Sequence, residues 1–446
     1  MNKQILSKYK FQFKKGYFVI LFFISIQSIS QSITINTTNY KQVIDMIGAD
    51  IERSSIAIQN AKNKNEIINW GFKDINFNYC RVQYDKHQEL TQGQKKMGFY
   101  KKQLQTMKQI KQLNPNIKFF ATMRTDYNGY GNKNNMPDWI VNYKTKAVDV
   151  KKYATFLADY LEFMEHENLA INTLSITKEW TSFIKPKIGS EIIVELQQQC
   201  NLRGIKMPKI SDQGFWSISQ GIKYLNAIKA LKTEHLYSSF CTHDYKNEGQ
   251  EKWQTIIANT NSLDKKLYDD ESSTGSGSPT YGSERPIKKQ LQEYIDKSEA
   301  YKAGLSGEIF FEIWSRGINK ETRAIYYPAN GEGKRLRGYF IMKQFSNNIL
   351  NYRYLTSVVN NMPDVYTMAF RKENKIVFWI LNNSKNKYEV SVNLDNSKFL
   401  SEINMRYWTD STPLNGDCLI YKSNQSTVNL SLKPESINSY VFRVVN

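Results

Sequence analysis

The sequence predicts an α/β fold in which a (β/α)8 TIM barrel is followed by a C-terminal all-β sandwich domain. From about residue 40 to 345, short β-branched or aromatic runs alternate with longer stretches of helical periodicity, as in repeated βα units. After about residue 350, strand-like runs follow one another without helices between them. A doubly wound open sheet is the competing fold, but no Gly-rich phosphate-binding turn follows the first strand.

Eight strand-like runs occur in the first region, and eight βα units within about 300 residues are typical of a closed barrel. The predicted strands are Val43–Ala49, Phe77–Gln83, Ile117–Met123, Thr173–Thr177, Lys206–Ser211, Leu236–Thr242, Lys266–Asp270 and Glu308–Trp314. Apolar residues at three- and four-residue spacing predict helices between them, among them Lys95–Leu113, Val150–His166, Ser190–Arg203, Gln220–Lys232 and Lys288–Ala303. We therefore assign residues 40–350 to the barrel.

The sandwich is assigned to residues 351–446, where turns rich in Asn, Asp and Ser separate alternating runs. Its predicted strands are Tyr366–Arg371, Lys375–Asn382, Tyr388–Leu394, Ile403–Thr409, Cys418–Lys422, Ser426–Leu432 and Ser439–Val445. The segment Ser272–Ser283 has the composition of a linker. Because it directly follows the seventh barrel strand, we expect a long βα loop at the active face instead.

Residues 1–30 have the three parts of a secretory signal peptide. Five lysines and no acidic residue precede the apolar run Tyr17–Ile26, and the small residues Ser28 and Ser30 follow it. The run is about ten residues long, well short of the roughly 20 needed to cross a bilayer as a helix. We expect cleavage near Ser30–Gln31 and a secreted protein without stable membrane insertion, and a retained membrane anchor is the alternative.

The net charge of residues 31–446 bears on which kinds of molecule the protein can bind. The whole chain carries a net charge of +19, and removing the five lysines of residues 1–30 leaves +14. The lysines that remain are scattered among Asn, Gln and Tyr and form no basic stripe, so nucleic acid is not the expected partner. The four cysteines form no C-x-x-C pair and none has a His at metal-ligand spacing, so neither a metal nor a disulfide framework is indicated.

Two carboxylates stand at the C-terminal ends of predicted barrel strands, where barrels place their reactive groups. The fourth strand leads into Glu179, and the seventh leads into Glu271. Retaining glycosidases need two carboxyl groups about 5–5.5 Å apart, one to protonate the leaving oxygen and one to attack the anomeric carbon. Either Glu alone could be an ordinary surface residue, but the pair on these two strands points to that chemistry.

Ordered matches along the chain resemble the clan A glycoside hydrolases, and within them glycoside hydrolase family 30. The similarity extends over about residues 40–446 and depends more on the order of short motifs than on any one of them. The segments that carry it are Gln42–Ala49, Leu174–Glu179, Thr242–Tyr245, Leu267–Glu271 and Gly338–Ser346. The resemblance implies a retaining O-glycosyl hydrolase that requires no metal or organic cofactor.

The same resemblance implies roles for individual residues. Glu179 matches the general acid/base and Glu271 the nucleophile. Arg81, at the end of the second strand, matches the arginine that hydrogen-bonds the nucleophile, and its fixed charge would keep Glu271 ionised. A surface salt bridge is the other interpretation of Arg81. His243 and Tyr245 would line the cleft, where the Tyr245 hydroxyl can donate a hydrogen bond to the nucleophile. A purely structural role is nearly as good an interpretation of His243.

Further substrate-binding candidates lie at or just past strand ends. Trp180, Trp216 and Trp314 could each stack on a sugar ring, but core packing is the default for any Trp, and we expect one or two of the three to be platforms. Arg124 and Asp126 follow the third strand and offer hydrogen-bonding groups for hydroxyls. The family equivalent of this segment is apolar and Pro-rich, so the departure indicates a different substrate.

Lys178 is the sharpest departure, because clan A enzymes usually place at this position an Asn that hydrogen-bonds the sugar 2-hydroxyl. A cation beside Glu179 would lower the pKa of an acid/base whose pKa should be raised, unless a substrate anion neutralises it. One explanation is a sulfated or uronate-bearing substrate bound by Lys178. The other is that Lys178 points away from the cleft and Thr177 or another residue takes the role of the Asn.

These observations lead to the hypothesis of a secreted retaining glycoside hydrolase that cleaves β-glycosidic bonds of a polysaccharide or oligosaccharide, with an anionic polysaccharide as one option. The alternative from a different class is a catalytically impaired carbohydrate-binding protein with the same fold, in which the change at Lys178 has removed efficient chemistry. A charge-driven nucleic-acid or surface-binding protein is a third hypothesis, which the lack of a basic footprint disfavours.

Overall fold

A computed structural model describes residues 31–52, 54–125, 135–272, 284–311, 313–315, 324–326 and 331–445, with Trp314 and Ser315 described by their backbone alone. The signal peptide predicted over residues 1–30 and the candidate Asp126 lie outside these residues, and so does most of the predicted loop Ser272–Ser283. No helix in the described part of the chain is long and apolar enough to span a membrane.

Eight parallel strands close into a barrel, and each pairs with the strands that precede and follow it in the chain. The barrel strands are Met46–Asp50, Tyr79–Tyr84, Lys118–Met123, Ile171–Ser175, Lys209–Ser211, Ser239–Thr242, Lys266–Ser272 and Gly307–Phe310. The described α-helices are Ser55–Asn60, Lys64–Phe72, Lys101–Leu113, Val150–His166, Pro186–Arg203, Ile218–Leu231, Gln250–Asn261, Ile287–Ala303 and Arg337–Ser346. The predicted barrel is therefore confirmed.

Short elements complete the described part of the barrel region. Val141–Asn142 and Ala147–Val148 form a small hairpin, and Trp314–Ser315, Ile325–Tyr326 and Lys334–Arg335 form a three-stranded sheet. The predicted last strand Glu308–Trp314 was too long, because the barrel strand ends at Phe310 and Trp314 begins a separate strand. Single turns of 3-10 helix occupy Lys86–Gln88, Met97–Tyr100 and Glu234–Leu236.

Nine strands form the second unit, a mixed sheet that has the character of a β-sandwich. In spatial order they are Asp417–Ser423, Lys398–Trp408, Ser436–Val445, Lys375–Asn382, Val365–Lys372, Arg353–Asn360, Ser32–Val43, Tyr388–Asp395 and Thr427–Leu432. Apolar side chains from near both ends of this order, such as Met405 and Leu430, belong to one buried core. The predicted C-terminal sandwich is thus confirmed as a fold class.

The sandwich also contains an N-terminal strand that the sequence interpretation did not include. Ser32–Val43 pairs antiparallel with Arg353–Asn360 and parallel with Tyr388–Asp395. The barrel strand predicted over Val43–Ala49 begins only at Met46, because Val43 ends the sandwich strand. Ile33 and Ile35 alternate with more exposed residues and are buried in the sandwich core, which is the pattern of a half-buried strand.

The barrel and the sandwich share packed side chains along the strand Lys375–Asn382. Ile376, Phe378 and Ile380 point into the sandwich core, whereas the alternate residues belong to the larger cluster that contains the barrel. Among these alternate residues, Trp379 is fully buried and stacks on Tyr294 of the helix Ile287–Ala303 with ring centroids 5.7 Å apart. This interface fixes the position of the sandwich against the barrel.

Trp379→Ala is expected to lower the free energy of unfolding by roughly 3–5 kcal/mol, because a large aromatic side chain in a packed core leaves a cavity when it is truncated. Denaturant unfolding monitored by circular dichroism measures this loss. Ile420→Ala is the control, since Ile420 is 62% exposed on a sandwich strand and its truncation should cost no more than about 0.5 kcal/mol. Equal losses in the two variants would contradict the shared interface.

Candidate active site

Glu179 and Glu271 meet at the C-terminal end of the barrel. Glu271 lies within the seventh strand, and Glu179 follows the fourth strand at a positive φ of 52°. The backbone N–H of Glu179 lies 3.2 Å from the carbonyl oxygens of both Gln213 and Gly214. One carboxylate oxygen of each Glu and one ring nitrogen of His243 all lie within 4.8 Å of one another. The two carboxylates therefore border one small space.

Arg81 is fully buried at the second strand and anchors a group of four carboxylates. Its guanidinium is hydrogen-bonded to Glu271, and its Nε lies 2.5 Å from Asp50 Oδ2. Asp270 Oδ2 is 3.3 Å and Glu52 Oε2 is 3.4 Å from its two terminal nitrogens. A guanidinium cannot be deprotonated at ordinary pH, so it supplies a permanent positive charge beside Glu271. The surface salt-bridge interpretation of Arg81 is wrong.

His243 connects Glu179 with Asp270 and is itself fully buried. Its Nδ1 lies 2.9 Å from Glu179 Oε1, and its Nε2 lies 3.2 Å from Asp270 Oδ1. Burial would lower the pKa of His243, but the charges of Glu271 and Asp270 and the hydrogen bonds to Asp270 and Glu179 raise it well above its usual range. This shift favours the protonated imidazole, whose two ring nitrogens face Glu179 and Asp270.

Tyr245 and Trp216 border Glu271 on the other side. The Tyr245 hydroxyl donates a hydrogen bond of 2.7 Å to Glu271 Oε2. The Trp216 ring lies against the Tyr245 ring with a centroid separation of 4.7 Å, and both side chains are partly exposed. Trp216 thus presents a partly exposed aromatic surface next to the tyrosine that hydrogen-bonds Glu271, which suits a sugar-stacking platform.

The surroundings of Glu271 favour its ionised form. Burial would raise the pKa of Glu271, but the positive charges of Arg81, Lys178 and His243 and the Tyr245 hydrogen bond hold it well below its usual range. An ionised carboxylate is what a nucleophile requires. The structure thereby brings four residues that the sequence proposed for substrate binding, Arg81, Lys178, His243 and Tyr245, close to the Glu271 carboxylate.

Gly214 is a further component of this site that the sequence interpretation missed. Its φ of +57° lies in the left-handed region, and a Cβ atom there would come within 2.8 Å of both Asp270 carboxylate oxygens and 3.0 Å of His243 Nε2. Glycine therefore permits the close approach of the backbone to the His243–Asp270 contact. Its carbonyl oxygen also accepts from the Glu179 N–H.

Asp50 and Glu52 were also missed, although they follow the rule that identified Glu179. Asp50 ends the first barrel strand and Glu52 comes two residues later, so both stand at the C-terminal edge. Burial raises the pKa of Asp50 to about 6, with Glu52 adding to the rise and Arg81 opposing it. A search of every strand end for acidic residues would have found both.

Both explanations offered for Lys178 are wrong. Its ammonium neither is free to bind a substrate anion nor points away from the cleft, because it contacts carboxylates of this chain. The side chain is buried, and its Nζ lies 2.9 and 2.7 Å from the two Glu52 carboxylate oxygens. The same nitrogen lies 3.1 Å from Glu271 Oε1. A carboxylate of this chain neutralises the ammonium, so the argument for an anionic substrate no longer follows from Lys178.

The remaining predicted residues have different outcomes. Trp180 is fully buried and stacks on Phe183 with ring centroids 4.3 Å apart, so the prediction of a sugar platform is wrong for Trp180, which is a packing residue. Arg124 is partly buried just after the third strand. Asp126 and the side chain of Trp314 lie outside the described residues, and their roles stay predictions.

Solved structures of known proteins share this architecture. A glycoside hydrolase family 30 endoxylanase from Clostridium papyrosolvens C71 matches 92% of this chain over its full length, with a TM-score of 0.67 and 15% identity. SrfJ from Salmonella typhimurium matches with a TM-score of 0.72 and 14% identity over 94% of each chain. An endo-β-1,6-glucanase matches with a TM-score of 0.68 and 16% identity, over 92% of this chain and 94% of its own.

No family model and no curated protein matches the sequence. At these identities the solved structures establish the fold and leave the reaction to be argued from the site. The family resemblance inferred from the sequence motifs is confirmed at the level of the fold.

Proposed function

We propose that this chain is an exported retaining glycoside hydrolase that cleaves β-glycosidic bonds of a polysaccharide or oligosaccharide. One observation carries the proposal: Glu179 and Glu271 border one space with carboxylate oxygens within 4.8 Å, and Glu271 is held ionised by its neighbours. This limit on the distance between one oxygen of each residue fits the two carboxyl groups of retaining enzymes, which stand about 5–5.5 Å apart, better than the separation of about 6.5–9.5 Å in inverting enzymes. Export is proposed from residues 1–30 alone.

In the first step the Glu271 carboxylate attacks the anomeric carbon, and the glycosidic C–O bond breaks. Glu179 gives its proton to the departing oxygen, and the sugar becomes esterified to Glu271. The Tyr245 hydroxyl and the Arg81 guanidinium, one on each carboxylate oxygen of Glu271, orient the attacking group. In the second step Glu179 takes a proton from water, the water oxygen bonds to the anomeric carbon, and the ester bond to Glu271 breaks.

An uncharged sugar suits the catalytic subsite better than an anionic one. Within the contact network around Arg81, five carboxyl groups face three positive groups, and four of the five are still anions when Glu179 carries the proton that it donates. An added sulfate or carboxylate would meet more negative than positive charge there. Xylan and β-1,6-glucan come first among candidate substrates, because two proteins of similar structure are named for action on them.

Hydrolysis of a glycan panel tests the proposal. The purified protein without residues 1–30 is incubated with xylan, β-1,6-glucan, other neutral β-glucans, and sulfated and uronate-bearing glycans. Proton NMR then records which anomer of the product forms first. A retaining enzyme releases the β-anomer first, followed by slow mutarotation, and early release of the α-anomer would contradict the mechanism.

The impaired carbohydrate-binding protein remains the second candidate, because an ion pair occupies the position where a sugar-binding amide is expected. Calorimetry on the same panel separates the two functions. Binding of a glycan without any turnover over long incubation would favour the second candidate, whereas turnover excludes it.

A further inference from the structure

Glu52 and Lys178 form a buried ion pair directly behind Glu271. The Lys178 side chain is 2% exposed and the Glu52 side chain is 0% exposed. The three N–H donors of the ammonium face three carboxylate oxygens, two on Glu52 at 2.9 and 2.7 Å and one on Glu271 at 3.1 Å. Glu52 also lies 3.4 Å from an Arg81 nitrogen that contacts Glu271. One carboxylate therefore links two of the cations that surround Glu271.

A buried ion pair of this kind needs a reason beyond stability. Taking two charges out of water costs about as much as their attraction returns, and well-packed apolar residues often serve stability as well or better. The two residues lie 126 positions apart in the chain, and both stand at the C-terminal ends of barrel strands that face the same carboxylate. The position of the pair points to Glu271 as the group on which it acts.

We propose that Glu52 and Lys178 are a positioning pair for Glu271, in which Glu52 holds the ammonium in place and the ammonium orients the Glu271 carboxylate and keeps it ionised. The inference rests on the proposed function, in which Glu271 is the nucleophile. Lys178 thereby acts on the enzyme's own carboxylate and has no part in binding a substrate anion. The change from an amide to a lysine at this position is compensated within the chain by Glu52.

Other charged and titratable groups also surround Glu271, and the cations and the Tyr245 hydroxyl favour its ionisation whereas the carboxylates oppose it. These groups are Arg81 and Asp50 from the first two strands, Glu179 after the fourth strand, His243 and Tyr245 after the sixth strand, and Asp270 from its own strand. The test must therefore compare variants that change only the pair and leave these groups in place.

An infrared difference titration of Glu271 tests the pair without any substrate. The C=O band of protonated Glu271 is identified by its loss in Glu271→Gln, and its midpoint pH is measured in Lys178→Met and Glu52→Gln. Lys178→Met removes a cation beside Glu271, so the midpoint should rise by about 1 pH unit or more. Glu52→Gln removes an anion and leaves the cation, so the midpoint should stay or fall.

Lys108→Met is the control, because Lys108 pairs with Glu167 on the surface and should leave the midpoint unchanged. If Lys178→Met does not fold, the double variant Glu52→Gln/Lys178→Met removes both charges together. Its midpoint must still exceed that of Glu52→Gln, because the two differ by the lysine alone. No rise in Lys178→Met, or an equal rise in Glu52→Gln, overturns the inference.

Kinetics with a hydrolysed substrate give a second readout. In Lys178→Met, the acidic limb of the pH profile of kcat/KM should move to higher pH, as the infrared midpoint does. In Glu52→Gln, kcat should fall about tenfold or more with little change in KM, because the ammonium keeps its charge beside Glu271 but loses the two carboxylate contacts that fix its orientation. A parent protein without glycosidase activity would refute the proposed function, while the infrared midpoints would still decide the inference.

Discussion

Replacement of Glu271 by Gln is expected to lower kcat by roughly 10⁴-fold or more, because an amide of the same shape cannot form the glycosyl-enzyme ester. The parent protein should also become covalently labelled by an activated 2-deoxy-2-fluoro glycoside, with one sugar on Glu271, whereas Glu271→Gln should not. Steady-state kinetics and peptide mass spectrometry measure the two results. The structure puts Tyr245 and Arg81 on the two oxygens of this carboxylate, so the labelled position is well defined.

Stereochemistry separates loss of the nucleophile from general damage to the site. Glu271→Ala supplied with azide should form the α-glycosyl azide, because azide enters from the face that the carboxylate vacates and inverts the anomeric carbon once. Glu195→Gln, on the helix Pro186–Arg203, is the matched control and should keep parental activity. Labelling on another residue, or a fully active Glu271→Gln, would contradict the assignment of the nucleophile.

The barrel and most of the sandwich could be predicted because their signals are local. Val150–His166 and Lys375–Asn382 have the same bounds in the sequence interpretation and in the structure, since apolar periodicity and turn residues mark both ends. The N-terminal strand was missed because only Ile44 and Asp45 separate it from the first barrel strand. Without a turn signal there, the predicted strand Val43–Ala49 took in the last residue of the sandwich strand, and residues 32–42 had no predicted element.

The pair Glu179 and Glu271 could be predicted because strand number and strand end place carboxylates at one face of a barrel. The direction of Lys178 could not, because it depends on Glu52, which is distant in sequence and whose burial is a tertiary property. Trp180 shows the same limit, since its indole is fully buried and stacks on Phe183. Residue type and position locate the site, whereas side-chain partners decide what each residue does there.

Glu179→Ala is expected to affect substrates according to their leaving groups. Glycans need protonation of the departing oxygen, so their hydrolysis should fall by about 10²–10⁴-fold, the usual contribution of a general acid. A 2,4-dinitrophenyl glycoside needs no such proton, so Glu271 should still attack it and the glycosyl-enzyme should accumulate. Rapid-quench kinetics should show a burst of dinitrophenol followed by slow turnover, because no base activates the water.

Azide also tests the role of Glu179 as the acid/base, because the glycosyl azide formed by a Glu179 variant should be the opposite anomer from that formed by Glu271→Ala. In Glu179→Ala, azide should attack the accumulated glycosyl-enzyme from the face that Glu179 has left, and two inversions give the β-glycosyl azide. Glu179→Gln should behave alike with the activated substrate but accept azide less well, since the amide still fills the space. Loss of activity to the same extent on glycans and on the dinitrophenyl glycoside would show that Glu179 is structural, and an α-azide product would assign the nucleophile to Glu179 instead.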